Sequence, residues 1–352
     1  MKTLAQLLQE HFTNHPDMEV RDAIKFLYQS HMGPGHAIAD EGAALARLDA
    51  ELSSIAEAPS VPLIEPLGGG LCRLNLQACK EAGLSSRTLN RLFCLTAQTF
   101  HTDPDGLDAS LALIHSLPFD SDEVSACLAQ YRADGCPMVS HTPRYRAAYA
   151  PAYRVVFQRY AQLVPVLCSI DGLMAEHPQV RVALDGPCAS GKSTLGETLA
   201  EIYRCPLFHM DDFFLRPEQR TPERLAAPGG NVDYERFQQE VLSSLLAGEP
   251  VRYRPWQCRV GGFGEEVVVP PAPLAIVEGS YSLRPDLRGA YHLRLWVESP
   301  WSVREGRLKL RGGPSCMERF LNQWIPMEDR YFQAFQVQKC CQLTVSGTED
   351  LI

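Results

Sequence analysis

Apolar residues recur at helical spacing through the first half of the chain. Val20, Ala23, Ile24, Leu27 and Tyr28 fall on one stripe of MEVRDAIKFLYQS, a face that must pack against something. Leu89, Leu92, Phe93 and Thr96 repeat the pattern, as do Leu107, Leu111 and Ile114. Asp120 followed by Glu123 predicts a capped helix start, with the helix running on through Leu128 and Tyr131. Loops rich in Pro and Gly join these stretches, notably EAPSVPLIEPLGGG and SHTPRYRAAYAPAYR. Within them Gly68-Gly69-Gly70 is read as a flexible turn, and Tyr149 and Tyr153 as packing residues. Residues 1–165 are therefore expected to form a mainly α-helical domain.

The pattern changes near residue 175. Val180, Val182 and Leu184 make a short apolar strand, a glycine turn follows, and Leu195, Leu199 and Ile202 resume helical spacing. Further strands are predicted at CPLFHM (205–210), PLAIVEG (273–279), YHLRLWV (291–297) and CQLTV (341–345), with helical stretches between them. Such alternation predicts an α/β domain over 175–352, a parallel sheet flanked by helices on both faces. The boundary falls between Tyr160 and Pro178, where VVFQRYAQLVPVLCSIDGLMAEH reads as a connecting helix broken at Pro165.

Composition narrows the partners. The 352 residues suit two domains at about 150 residues each. With 45% hydrophobic and 21% charged residues the chain can bury a real core. A formal charge of −9 argues against a whole-surface nucleic-acid binder and toward a small substrate. No apolar run approaches the roughly 18 residues of a membrane span, and the opening MKTLAQLLQEHF does not read as a signal peptide. A cytoplasmic protein with reduced thiols is expected, with neither nucleic acid nor membrane as partner and a homo-oligomer left open. Cys340 and Cys341, adjacent in an apparent strand, would face opposite ways and make a poor metal pair.

The strand–turn–helix at 180–203 carries the chemistry. Gly186-Pro187-Cys188-Ala189-Ser190-Gly191-Lys192-Ser193, continued by Thr194, spells the Walker A pattern. Glycines let backbone amides turn inward around a phosphate chain, and the helix start adds partial positive charge. Lys192 would reach the β- and γ-phosphates of ATP, and Ser193 would hold Mg²⁺. No NKxD, LSGGQ or DEAD sequence accompanies it, which points away from guanine-specific switches, transporters and helicases. Asp211, just after the second strand, is placed to accept a proton from an attacking hydroxyl or to hold Mg²⁺. Glu278 ends an apolar strand in the manner of a Walker B acid. Arg304, Arg307 and Arg311 share a helix face, either a solvated surface or a lid over phosphates.

Taken in order, DGPCASGKST, FHMDDFF, PGGNVDYERF, IVEGSYS and WIPMEDRYF resemble the uridine kinase-like branch of the P-loop kinases. That group also contains phosphoribulokinase and bacterial pantothenate kinase, and the resemblance covers about residues 178–346. It implies transfer of the ATP γ-phosphoryl group to a small-molecule hydroxyl acceptor. By that resemblance Asp211 is the general base, Glu278 a magnesium-site acid, Asp233 a ligand of sugar hydroxyls, and Arg304 and Arg307 belong to a lid helix. Tyr253, Trp256 and Tyr281 would shape the acceptor pocket. The family's Tyr-Asp-Phe sequence is replaced by Trp256-Gln257-Cys258, and its pyrimidine-reading histidine is missing. Nucleoside specificity is therefore not implied.

That resemblance leaves residues 1–160 unassigned. His31 and His36 flank Gly33-Pro34-Gly35, and His141 opens a cluster with Arg144, Arg146 and Arg154. These could surround an anion or a metal, or form ordinary turns. Alternative readings of the whole are an ATP-binding regulatory module, or a bifunctional protein whose first half has a separate activity.

Overall fold

A computed structural model of the chain describes residues 2–34, 38, 40–55 and 61–347, with backbone alone for 312–316. Contacts divide the chain into two compact units, Met1–Cys168 and Ser169–Ile352.

In the first unit two of the apolar stripes become single helices, while the Leu107, Leu111 and Ile114 stripe is split between helix Pro104–Ser110 and the 3₁₀ turn Leu111–Ser116. Val20–Met32 buries Val20, Ala23, Ile24, Leu27 and Tyr28, and Ser86–Thr99 buries Leu89, Leu92 and Thr96. Asp120 caps Ser121–Ala133 by accepting from the amides of Asp122 and Glu123. The unit also contains an antiparallel sheet that the sequence pattern does not announce: β1 (Ile64–Gly68), in a stretch expected to be loop, β2 (Leu71–Asn75), and β3 (Tyr153–Phe157), whose Val155–Phe157 was expected to open a connecting helix, in the order β1-β2-β3. These strands carry little alternation to betray them. Leu71, Cys72, Arg73 and Leu74 of β2 are all buried, so no polar face interrupts the run.

Gly68-Gly69-Gly70 is a tight β1–β2 hairpin rather than a slack turn. All three glycines have positive φ, and a Cβ on Gly69 would lie 2.7 Å from the Ser30 carbonyl oxygen. Backbone touches backbone there, which leaves room for glycine alone.

The second unit is built on five parallel strands in the order β12-β11-β4-β10-β5. They are β4 (Val180–Asp185), β5 (Leu207–His209), β10 (Leu274–Glu278), β11 (Leu293–Glu298) and β12 (Leu343–Ser346). Helix Lys192–Tyr203 packs on β4, β5 and β10, and the fold class is the expected α/β one, a parallel sheet flanked by helices. Two small antiparallel ribbons stand apart from the sheet, β6 (Val251–Tyr253) with β9 (Val267–Val269), and β7 (Trp256–Gln257) with β8 (Gly262–Phe263).

Cys340 ends a short 3₁₀ turn, Val337–Cys340, and β12 starts only at Leu343, so the apparent strand CCQLTV is shorter than expected. The segment before β4 differs from the expected helix broken at Pro165: Val155–Phe157 belongs to β3, and the helices Gln158–Gln162 and Val164–Glu176 part at Leu163, with Pro165 in the first turn of the second, where its missing N–H costs nothing. No helix among the described residues is long and apolar enough to cross a membrane.

Candidate functional site

The central strand β4 is buried from Val182 through Asp185, with Arg181 half-buried near its start, and the chain then turns through 186–191 into helix Lys192–Tyr203. Gly186 makes that turn with φ +148, and a Cβ there would lie 2.0 Å from the Val297 carbonyl oxygen. Gly191, at φ +102, caps the helix, and Ala189 takes φ +59, a conformation costing an L residue about 1 kcal/mol. The amides of Lys192, Ser193 and Thr194 open the helix and have no carbonyl to bond within it. Lys192 folds over the loop, donating from Nζ to Gly186 O at 2.8 Å and Pro187 O at 3.0 Å. The buried Ser190 hydroxyl in the same loop has no hydrogen-bond partner among the described residues.

Parallel register brings the carboxyl ends of β4, β10 and β5 together, with Glu278 beside Leu184 on one side and His209 on the other. Ser193 Oγ donates to Glu278 Oε1 at 3.1 Å, and His209 Nδ1 lies 2.6 Å from the same oxygen. The hydrogen bond to Glu278 raises His209 above its ordinary value. Asp211 follows in the turn Met210–Phe213. Its carboxyl reaches solvent but is crowded by protein; that enclosure and the charge of Glu278 push it up to about 6 against the pull of Lys192.

Two acids behind the loop went unassigned at the sequence level. Asp185 is fully buried and accepts from Gly186 N at 2.7 Å, Leu283 N at 3.0 Å and Tyr331 Oη at 2.7 Å; burial pushes its carboxyl up to about 6. Glu328 accepts from Cys188 N at 2.8 Å and Ser280 Oγ at 2.6 Å, clamping the loop to the 279–282 turn. A lone charge ending a buried strand was the available signal for Asp185. For Glu328 there was only the WIPMEDRYF stretch, with nothing to single out one acid.

Arg304 and Arg307 reach the loop rather than forming a solvated face. Arg304 Nε donates to Cys188 O at 2.8 Å, and Arg307 donates to Ala189 O at 3.1 Å and Gly347 O at 2.7 Å. Arg311 is exposed farther along the helix. Asp233 is buried and already engaged, capping helix Tyr234–Phe237 and accepting from Gln219 Nε2 at 2.7 Å. Tyr253 stacks on Phe213 at 5.3 Å and donates to Asp212 Oδ2 at 3.1 Å. Trp256 meets Phe263 edge-on at 5.2 Å, within the β7–β8 ribbon. Tyr281 is buried with φ +80 and packs edge-on against Tyr331 at 5.0 Å.

In the first unit the histidine clusters separate. His31 is held by Asp103 at 3.3 Å and Ser110 at 2.8 Å, and His141 by Asp22 at 2.9 Å and Tyr153 at 2.7 Å. His36 lies outside the described residues. Arg144 pairs with Asp17, Arg154 with Glu51, and Arg146 donates to the His141 carbonyl. The cluster of metal-ligand type among the described residues is instead His11, His15 and Glu65, where Arg73 already supplies positive charge 3.0 Å from Glu65 Oε2.

No protein-family model matches this chain, and no curated protein does. Solved structures similar to it include a possible uridine kinase from Bacillus stearothermophilus, at 18% identity and TM-score 0.39, covering 50% of this chain and 96% of that one. Another is shikimate kinase from Aquifex aeolicus, at 16% identity and TM-score 0.26, covering 48% of this chain and 88% of that one.

Proposed function

We propose that the chain is an ATP-dependent kinase that moves the γ-phosphoryl group onto a hydroxyl of a small metabolite, with the chemistry in residues 175–352. One observation carries this reading. The Walker A serine, the strand-end acid Glu278 and the acid Asp211 gather at the carboxyl ends of three adjacent parallel strands, where α/β sheets open a ligand crevice.

The residues suit each task. Open amides at the start of helix Lys192–Tyr203 bind phosphate oxygens, and Lys192 exchanges its two loop carbonyls for them. Ser193 and Glu278 are hard oxygen donors of the kind Mg²⁺ takes, with Asp211 near enough to share its field. When bound, that ion neutralises charge on the phosphate oxygens. Asp211 accepts the proton of the acceptor hydroxyl. Arg304 and Arg307 brace the outer carbonyls of the loop, so the amides on its inner side keep one geometry. Asp233, Tyr253, Trp256 and Tyr281 are assigned to acceptor recognition, Tyr253 through its bond to Asp212 beside Asp211 and Asp233 by exchanging its bond to Gln219 for a substrate hydroxyl.

The deciding experiment incubates full-length protein and Lys192→Met with ATP and Mg²⁺ against nucleosides, sugars, pantothenate and glycerate. Phosphorylated products are read by mass spectrometry. A product made only by the wild type supports the kinase reading and names the acceptor. ATP hydrolysis that no acceptor stimulates favours the regulatory reading instead.

A further inference from the structure

The unit Met1–Cys168 holds a buried charged network that the proposed kinase chemistry does not use. Arg73 of β2 is buried at 2% exposure and donates from Nε and Nη2 to Gln29 Oε1, at 2.9 and 2.8 Å, and from Nη1 to Glu65 Oε2 at 3.0 Å. Its guanidinium carbon stands 4.6 Å from the centre of the Tyr153 ring.

A second chain of bonds starts at Asp22. Its Oδ1 accepts from His141 Nδ1 at 2.9 Å and Thr142 N at 3.0 Å, and its Oδ2 from Thr142 Oγ1 at 2.7 Å. Burial would raise Asp22, but these hydrogen bonds outweigh it and hold the carboxyl down at about 2. Burial pushes His141 down to about 4, so the ring is neutral at pH 7. With Nδ1–H committed to Asp22, Nε2 accepts the hydrogen bond of the Tyr153 hydroxyl at 2.7 Å, and that hydroxyl oxygen also lies 3.3 Å from Gln29 Oε1.

Both chains end on one cavity. Gln29 and Tyr153 line a hollow of about 520 Å³ together with Arg47, Glu51, Phe93 and Arg154. Because Arg73 saturates Gln29 Oε1, the amide offers the hollow its Nε2 donor. Because His141 holds the Tyr153 proton, the phenol offers its oxygen as an acceptor. Arg154 is spent on Glu51 at 2.7 Å, whereas Arg47 is exposed and has no ion pair among the described residues. Among the described lining residues Arg47 is thus the cation without a carboxylate partner. Buried ionic networks are seldom worth their desolvation as stability alone, and partners that clamp the polar groups of a cavity in one orientation are what a binding site requires.

We propose that this hollow is a ligand site in its own right, for a small organic anion. A phosphate or carboxylate pairs with Arg47, the body of the ligand lies against Phe93, and its polar groups are read by the Gln29 amide and the Tyr153 oxygen. The volume lies within the roughly 300–1,000 Å³ of small-molecule sites.

Isothermal titration calorimetry on the full chain tests this with inorganic phosphate, ribose 5-phosphate and malate, at up to about 10 mM. The expected result is saturable binding of at least one probe, weakened about tenfold or more in Arg47→Met and in Tyr153→Phe, partly restored in Arg47→Lys, and unchanged in Lys192→Met. Binding of the phosphates without malate assigns the anion as phosphate, and the converse as carboxylate. Arg47 is at the surface, so its variants report on the site without threatening the fold. No saturable heat from any probe overturns the proposal, as does binding that survives both substitutions or disappears in Lys192→Met.

Discussion

Ser193 Oγ donates to Glu278 Oε1 at 3.1 Å across 85 residues of sequence, and His209 bonds to the same oxygen from the next strand. One carboxylate thus joins the start of helix Lys192–Tyr203 to two neighbouring strands. Glu278→Gln keeps an oxygen for Ser193 and removes the charge. Its turnover is expected to fall by about 10²-fold, with the Mg²⁺ requirement moved to higher concentration. Initial rates across a Mg²⁺ titration check this, and an unaltered Mg²⁺ dependence removes Glu278 from the metal site.

Asp211→Asn preserves the shape of the crevice but cannot take a proton. Nucleotide binding should survive while turnover drops by about 10²- to 10⁴-fold. Calorimetric ATP binding beside single-turnover kinetics separates the two; wild-type turnover in this variant would sink the assignment.

The β1–β2 hairpin offers a paired comparison. Gly69→Ala meets the Ser30 carbonyl oxygen at 2.7 Å with φ at +60, whereas Gly70→Ala has φ +74 and nothing within 4 Å. Gly70→Ala should cost about 1–2 kcal/mol from backbone conformation alone, and Gly69→Ala measurably more. Urea titration followed by circular dichroism ranks them, and equal costs would mean the hairpin yields without strain.

Acid should loosen the unit Met1–Cys168. Burial holds folded His11 and His141 down at about 4, below their ordinary 6.5. The unfolded chain therefore binds more protons between those values, and stability must fall as pH drops from 6.5 to 4. Asp22, held at about 2 against an ordinary 3.8, extends the loss below pH 4. Urea midpoints measured from pH 7 down should decline, and His141→Gln should decline less steeply over the upper part of the range. A parallel decline in both proteins would show that His141 contributes nothing to it.

Local pattern was enough to read the strand–turn–helix at 180–203, the four further strands and the helix stripes of the first half. Each of these depends on residues a few positions apart, where periodicity and the spelling of a glycine turn act directly on the backbone. The antiparallel sheet of the first unit was not legible in that way. β3 pairs with β2 from the far side of a run of helices, and β2 buries Arg73 among apolar residues, so neither alternation nor proximity marks it. Tyr153 illustrates the same limit, because its spacing suits a packing residue and only the pairing of β2 with β3 sets it beside Arg73 and His141. Asp185 and Glu328 acquire their places behind the phosphate loop from Tyr331, Leu283, Ser280 and Cys188, contacts that exist only once distant segments have closed on one another. Sequence determined which residue types the 186–191 turn and the helix start after it present, since that follows from a local stretch of chain. Tertiary structure decided which acids face it and which polar groups line the cavity of the first unit, because burial and long-range hydrogen bonds are set by register and packing rather than by neighbours along the chain.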